Sequence, residues 1–187
     1  MGILDIFRSK TNTSVDGTHD AFITTKERFT KKKDALRVKF GGKEPSDNDV
    51  EWGVLNDQLM EYAESGDWDL YRNVRFNMAE VLRKEAKLKD ALKVYLEVCY
   101  LDLNGPGNIK VLGGPAFQAK LSTGVDHQVV ILIEKIMKKL NLSKDDVGKI
   151  FIEHNSRIGK NLQLSLTPEE CWSSLEKEFG KGAIIPL

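Results

Sequence analysis

Apolar residues recur at helical spacing along most of the chain. Between residues 68 and 84 they fall at intervals of three, four or one, and the pattern returns over residues 91–99. Such spacing places the apolar side chains on one face of a helix. A turn at Gly66 and Asp67 precedes the first stretch, and a short turn around Lys87 separates the two. We therefore predict an antiparallel helical hairpin here.

Similar patterns predict helices in the flanking parts of the chain. One helix is expected over residues 21–40 and ends at Gly41. Residues that can cap a helix mark the other beginnings, namely Ser46 or Asp47, Asp67, Asp126, Ser143 and Thr167. The last helix is expected to reach Gly180. The predicted fold class is all-α, an antiparallel bundle or array of about seven helices.

Residues 94–101 have a competing assignment. β-branched and aromatic residues cluster there, as they do in strands. A helix is favoured because the periodic stretch runs about fifteen residues and begins with good helix formers. This helix is apolar on most sides, so we expect it to lie at the centre of the fold.

The domain organisation follows from the distribution of polar, glycine and proline residues. Residues 1–20 are expected to be a flexible N-terminal segment, whose apolar end either docks on the core or anchors to a membrane surface. Residues 21–187 are expected to form a single helical domain. Glycine and proline interrupt residues 104–125, which we interpret as one long loop.

Composition limits the classes of function. Lys and Arg together equal Asp and Glu at 28 each, so any electrostatic function must come from a local patch. The chain has no secretory signal pattern and no apolar stretch of roughly 20 residues that could cross a bilayer. We expect a soluble, cytoplasmic protein. Cys99 and Cys171 lie in apolar helical patterns and are expected to be free and buried.

Residues 72–104 resemble a single tetratricopeptide repeat. The small and aromatic residues of that family have counterparts in Ala79, Ala91 and Tyr95, and the ending Leu-Asp-Leu-Asn is similar to the family's Leu-Asp-Pro-Asn. Arg75 replaces the family's tryptophan, and Ala86 replaces the glycine of the turn between the helices. The resemblance implies a helical hairpin and protein binding. A plain helical bundle remains the alternative.

A search of the sequence for catalytic and metal-binding patterns gives no candidate. His19, His127 and His154 are far apart, and none has a second ligand at the helical spacing of a metal site. Gly41-Gly42-Lys43 lacks the remaining residues of a phosphate-binding loop. We therefore expect no catalytic residues, no metal and no cofactor, with an enzyme whose site lacks a visible motif as the third hypothesis.

Two binding hypotheses remain. The first is a non-enzymatic scaffold or adaptor that holds a protein or peptide segment in a groove between helices. Its candidate binding residues are on the polar face of the hairpin: Arg72, Asn73, Arg75, Asn77 and Lys93. The alternative is a regulator that binds nucleic acid or an anionic surface through the basic helix over residues 26–39. Its candidate residues are Lys31, Lys32, Lys33 and Arg37.

Overall fold

The computed structural model describes residues 17–104, 124–162 and 164–180, with side chains from Thr25 onward. These residues form seven helices and no strand, which confirms the all-α prediction. The helices are α1 (Gly17–Lys39), α2 (Asp47–Ser65), α3 (Trp68–Lys84), α4 (Leu88–Asn104), α5 (His127–Leu140), α6 (Lys144–Leu162) and α7 (Pro168–Leu175). Almost all of the predicted N-terminal segment and loop lie outside the described residues.

The chain divides into two compact units, Met1–Glu64 and Ser65–Leu187. The single helical domain expected over residues 21–187 stays a prediction. The first unit contains helices α1 and α2, and we call it the α1–α2 unit. Its helix α1 begins at Gly17, inside the segment predicted to be flexible. The second unit, which we call the bundle, contains α3 to α7.

Helix α4 is the centre of the bundle, as its apolar pattern predicted. It packs against α3, α5, α6 and α7. Its side chains are buried along most of its length, and Tyr95, Leu96 and Val98 are fully buried. Residues 94–101 are helical, so the competing strand assignment was wrong.

Short polar residues begin the helices where the sequence predicted. Ser46, Ser143 and Thr167 each accept a hydrogen bond from the backbone N–H three residues on, and the acidic side chain there accepts one in return. This reciprocal capping box satisfies two donors that a helix start leaves without partners. Asp67 and Asp126 cap α3 and α5.

The last helix is shorter than the sequence predicted. Regular α-helix ends at Leu175 rather than reaching Gly180. The backbone N–H of Glu178 donates to the carbonyl of Leu175, three residues back, at 2.9 Å. The chain therefore continues as tighter turns. Phe179 still packs inward and is 5% exposed.

Candidate functional site

A buried cluster of charges, Arg72, Asp102 and Asp126, joins three helices of the bundle. Arg72 on α3 makes two parallel hydrogen bonds of 2.9 Å to the carboxylate of Asp102 on α4. Its Nη2 also lies 3.4 Å from Asp126, which caps α5. The side chains of Arg72 and Asp102 are 2% and 0% exposed. This two-pronged pairing is the strongest form of arginine–carboxylate contact.

The two carboxylates hold the charge of Arg72 in the interior. Burial alone would lower the pKa of Arg72, but the nearby carboxylates outweigh it, so the pKa is raised. Asp102 also accepts a hydrogen bond of 3.2 Å from the backbone N–H of Asp126. One carboxylate therefore fixes α3, α4 and the start of α5 together.

A second polar cluster crosses from α3 through α4 to α6. Arg75 donates to the buried carboxylate of Glu97, and His154 Nε2 lies 3.3 Å from the same Glu97 oxygen. Arg75 Nε and the other Glu97 oxygen have no hydrogen-bond partner among the described residues. The pKa of Tyr71 is raised, first by its burial and then by the charge of Glu97. Within this cluster the Glu97 side chain is buried, whereas those of Arg75 and His154 are 15% and 26% exposed.

These clusters change the interpretation of the candidate binding residues. Arg72 is buried, and Arg75 is engaged with Glu97, so neither guanidinium lies on an exposed polar face. Asn73 and Asn77 are half-buried, and Lys93 on α4 is exposed. The predicted polar face is therefore not a continuous exposed surface. Asp102 and Glu97 were not among the predicted site residues, although a charge inside an apolar helix is itself a sign of a buried pair.

The two cysteines are free and buried, as predicted. Burial raises the pKa of Cys99 well above its ordinary value, and the carboxylate of Asp102 adds to that rise. Burial also raises the pKa of Cys171 to about 11, although Asn104 Nδ2 lies 3.3 Å from its sulfur. Both thiols are thus held in the unreactive protonated form at neutral pH.

The α1–α2 unit contains a different kind of charge pairing. Arg28 lies 2.8 Å from Glu61, and Lys32 lies 2.7 Å from Asp57. From the first pair to the second the α1 position rises by four while the α2 position falls by four, so the two helices run antiparallel. The Arg28 and Glu61 side chains are 38% and 51% exposed, so water screens this pair.

A groove of about 370 Å³ lies between these two helices, and we call it the α1–α2 groove. Its lining combines apolar side chains with charges of both signs: Arg28, Lys31, Lys32, Ala35, Val54, Asp57 and Glu61. The stem of Lys32 crosses toward α2 at Gly53, where an added Cβ would lie 2.7 Å from Lys32 Cε. The glycine therefore provides the space through which Lys32 reaches Asp57.

Exposed apolar side chains flank the groove. Val38 is 81% exposed and follows Ala35 by one helical turn, while Met60 is 62% exposed and follows Asp57 by one turn. Residues three or four apart lie on the same side of a helix, so Val38 extends the lining on α1 and Met60 the lining on α2. Together with Phe40, which is 39% exposed, the unit thus exposes three large apolar side chains.

Charge is segregated between the two helices. Helix α1 has seven basic and three acidic residues, a net charge of +4. Helix α2 has six acidic residues and no Lys or Arg, a net charge of −6. The two rims of the groove therefore have opposite signs.

The predicted basic patch lies on this unit. Lys32 pairs with Asp57, and both Lys33 and Arg37 lie within 4.0 Å of Glu44, at 2.6 and 3.9 Å. Lys31 is exposed, and its ammonium has no ion pair within the described residues. A phosphate would have to compete with carboxylates for three of the four side chains. Binding of nucleic acid or an anionic surface remains a prediction.

Among the described residues, no group of three or more His, Cys, Asp or Glu side chains could hold a metal ion. No described helix is both long and apolar enough to span a bilayer. The chain matches no protein-family model, no curated protein and no solved structure.

Proposed function

We propose that this chain is a non-enzymatic scaffold or adaptor that binds a protein segment in the α1–α2 groove. The proposal assigns binding to the α1–α2 unit instead of the hairpin of α3 and α4, because the arginines that we predicted to bind a partner are engaged in internal ion pairs. The cytoplasmic location and the repeat-like character of that hairpin are proposed from the sequence alone.

One observation carries the proposal: α1 buries none of its side chains between Thr25 and Lys39. A helix of 23 residues usually owes its stability to an apolar face that packs on a neighbour. Phe29 and Leu36 are only half-buried, and Val38 is exposed. A partner that covered this face would remove apolar surface from water, which is the main favourable term in association.

The lining of the groove suits a protein ligand. Among its apolar residues Ala35 is exposed and offers contact area, whereas Val54 is buried at the base of the groove, and its charged rims offer specificity. Arg28 and Lys32 already pair with Glu61 and Asp57, so Lys31 is the lining charge that is left to pair with an acidic group of a partner. A peptide or helix with apolar residues on one side and charges at its edges fits these features.

The test compares proteins that co-purify with the native chain and with variants, from extracts of cells that express it. Val38→Asp together with Met60→Asp places two charges beside the groove. We expect the captured amount of at least one protein to fall about tenfold, which corresponds to a loss of about 1.4 kcal/mol of binding free energy. Lys89→Asp, at an exposed residue of α4 outside the candidate sites, is the control and leaves that protein unchanged. Capture that is identical for all three chains would overturn the proposal.

A further inference from the structure

We infer that the turn between α1 and α2 is a membrane-contact site that binds an anionic lipid surface. The site consists of residues 37–44, which we call the tip. The inference goes beyond the proposed function, because it concerns the end of the α1–α2 unit and not the groove between the two helices. Three features of the tip carry it: exposed apolar side chains, an excess of basic residues, and a backbone that pairs its own N–H groups.

Two large apolar side chains are exposed at the tip. Val38 is 81% exposed in the last turn of α1, and Phe40 is 39% exposed directly after that helix. The two residues lie about 3 Å apart along the helix axis. A lipid layer that took in the end of α1 to a depth of about 5 Å would therefore cover both, whichever side of the helix each one faces. Removing this apolar surface from water favours the contact.

Basic residues accompany these apolar side chains. Residues 37–44 contain three basic residues and one acidic residue, a net charge of +2, although the whole chain is neutral. The acidic residue, Glu44, is shared between Lys33 and Arg37, at 2.6 and 3.9 Å. Lys39 and Lys43 are exposed and form no ion pair with another described residue. These two ammonium groups are therefore left to attract anionic headgroups.

Acidic residues follow the tip at the start of α2. Asp47 and Asp49 lie in the first turn of that helix, whose positive end offsets part of their charge. Asp49 also accepts hydrogen bonds from the backbone N–H and the hydroxyl of Ser46. These carboxylates weaken the attraction to an anionic surface. We therefore expect binding to need both the two lysines and the two apolar side chains, as weak membrane contacts commonly do.

The backbone of the tip is suited to a boundary that contains little water. All N–H groups of residues 40–43 donate to nearby carbonyls: Phe40 to Leu36, Gly41 to Val38, Gly42 to Arg37 and Lys43 to Phe40. Backbone groups without partners are costly outside water, so this pairing lowers the cost of entering a lipid surface. An added Cβ at Gly41 or Gly42 would meet no atom within 4 Å, so no described residue covers the turn.

A lipid surface fits these features better than a nucleic acid does. A phosphate backbone would attract Lys39 and Lys43, but it offers nothing to Val38, because an aliphatic side chain cannot stack on bases as an aromatic one can. A headgroup layer places anionic groups next to hydrocarbon. This matches the basic and apolar side chains that lie together within one turn of the tip.

Fluorophores at single positions test the contact directly. Val38→Cys and Met60→Cys are made as separate full-length chains and labelled with an environment-sensitive fluorophore. The native Cys99 and Cys171 are buried, so the label attaches to the new thiol. With vesicles of about 30 mol% phosphatidylserine in phosphatidylcholine, emission at position 38 should shift to the blue. Position 60 is 62% exposed in the native chain but outside the tip, so its emission should not shift. Equal shifts at both positions, or none at either, overturn the inference.

Vesicle flotation supplies the second measurement. Val38→Asp with Phe40→Asp, and Lys39→Gln with Lys43→Gln, should each lower the partition of the chain onto these vesicles about tenfold or more. Met60→Asp is the matched control and leaves the partition unchanged. Salt at about 1 M should also release the native chain. Circular dichroism verifies that each variant is folded. Partition of the Val38 and Phe40 variant equal to that of the native chain overturns the inference.

Two controls exclude other sources of binding. Residues 1–7 are a second apolar segment, and Ile3→Asp with Phe7→Asp should leave the partition unchanged. If that variant loses binding while the tip variants keep it, the tip is not the contact. A single-stranded oligonucleotide is the other control. Binding that depends on Lys39 and Lys43 but not on Val38 and Phe40, together with no binding to vesicles, would assign the tip to nucleic acid and overturn the inference.

Single substitutions separate this inference from the proposed function, because Val38 borders both the groove and the tip. Phe40→Asp should weaken vesicle binding and leave the co-purified proteins unchanged. Met60→Asp should do the reverse. If vesicles bind neither the native chain nor the labelled variants, the tip proposal fails and the groove proposal stands. If vesicle binding depends on Phe40 but no captured protein depends on Met60, the tip proposal stands and the groove proposal fails.

Discussion

Arginine–carboxylate pairs join helices in both units, at almost equal distances but in opposite surroundings. Arg28 and Glu61 are 2.8 Å apart and partly exposed, whereas Arg72 and Asp102 are 2.9 Å apart and buried. An exposed pair typically contributes about 0–1 kcal/mol. Removing one partner of a buried pair typically costs about 3–5 kcal/mol, because an uncompensated charge is left in the interior. Distance alone therefore does not tell what an ion pair contributes to stability.

The comparison assigns different roles to the two units. The bundle fixes its helices through buried contacts that water cannot reach. The α1–α2 unit relies on exposed pairs, and α1 buries none of its described side chains from Thr25 onward. A helix that is held by weak contacts can exchange them for contacts with a partner at a small cost in free energy. The unit with weak ion pairs is therefore the better candidate for binding.

The largest expected effect comes from the buried cluster. Arg72→Met leaves Asp102 and Asp126 without their cation and should lower the free energy of unfolding by about 3–5 kcal/mol. Urea denaturation followed by circular dichroism measures the loss. Arg72→Met combined with Asp102→Leu should recover much of it, because no charge of the central pair is then left alone. Equal stability of native chain and single variant would contradict the buried pairing.

A smaller effect is expected from two glycines in the two units. An added Cβ at Gly148 on α6 would lie 2.8 Å from the ring of Trp172, which is rigid and packed between Phe151 and Phe179. Gly148→Ala should therefore destabilise the bundle by about 1–3 kcal/mol. At Gly53 the obstacle is the flexible stem of Lys32. Gly53→Ala should be neutral or stabilise by up to about 1 kcal/mol through helix propensity. Thermal unfolding distinguishes the two, and equal shifts in melting temperature would contradict this comparison.

We expect one substitution in the turn between α3 and α4 to stabilise the chain. Ala86 adopts a φ of 59°, where side chains with a Cβ are strained. The N–H of Lys87 donates to the carbonyl of Leu82, and that of Ala86 to Arg83, which is the usual glycine-type helix ending. Ala86→Gly should stabilise the chain by about 1 kcal/mol, and Ala86→Val should destabilise it. Urea midpoints measure both, and a destabilising glycine would show that the turn has a different conformation.

The smallest effect concerns acid and salt at the α1–α2 unit. Hydrogen bonding to Arg28 lowers the pKa of Glu61 below its ordinary value of 4.5. A lowered folded-state pKa means that the pair stabilises above pH 4.5 and loses this contribution as the pH falls through the folded value. NMR titration should detect this pKa, and Arg28→Gln should return it toward 4.5. Salt at about 1 M should also move the pKa of Glu61 toward 4.5, because it screens the charge of Arg28. An unchanged Glu61 titration in the variant would contradict the pairing.

Local signals in the sequence predicted most of the fold. The capping residues Ser46, Asp67, Ser143 and Thr167 act within one helical turn, so their role can be deduced from neighbouring residues alone. The apolar periodicity likewise identified α4 as central. The end of α7 was less predictable, because residues 176–180 form tighter turns without a stop signal at Leu175.

The candidate site could not be predicted in the same way. Arg72 meets Asp102 and Asp126 across 30 and 54 residues, and no local pattern determines that approach. The sequence indicated a polar face because Arg72 and Arg75 are charged, but tertiary packing turned both inward. The opposite charges of α1 and α2 were present in the composition of each helix, yet only their antiparallel contact identified a groove.

Hydrogen exchange of the full chain at low protein concentration tests the central contrast most directly. We expect amides of α1 between residues 25 and 39 to exchange through openings of about 2 kcal/mol or less, while those at the centre of α4 exchange only with global unfolding. Equal protection of α1 and α4 at the lowest concentration would contradict the assignment of α1 as the loosely held, partner-binding helix.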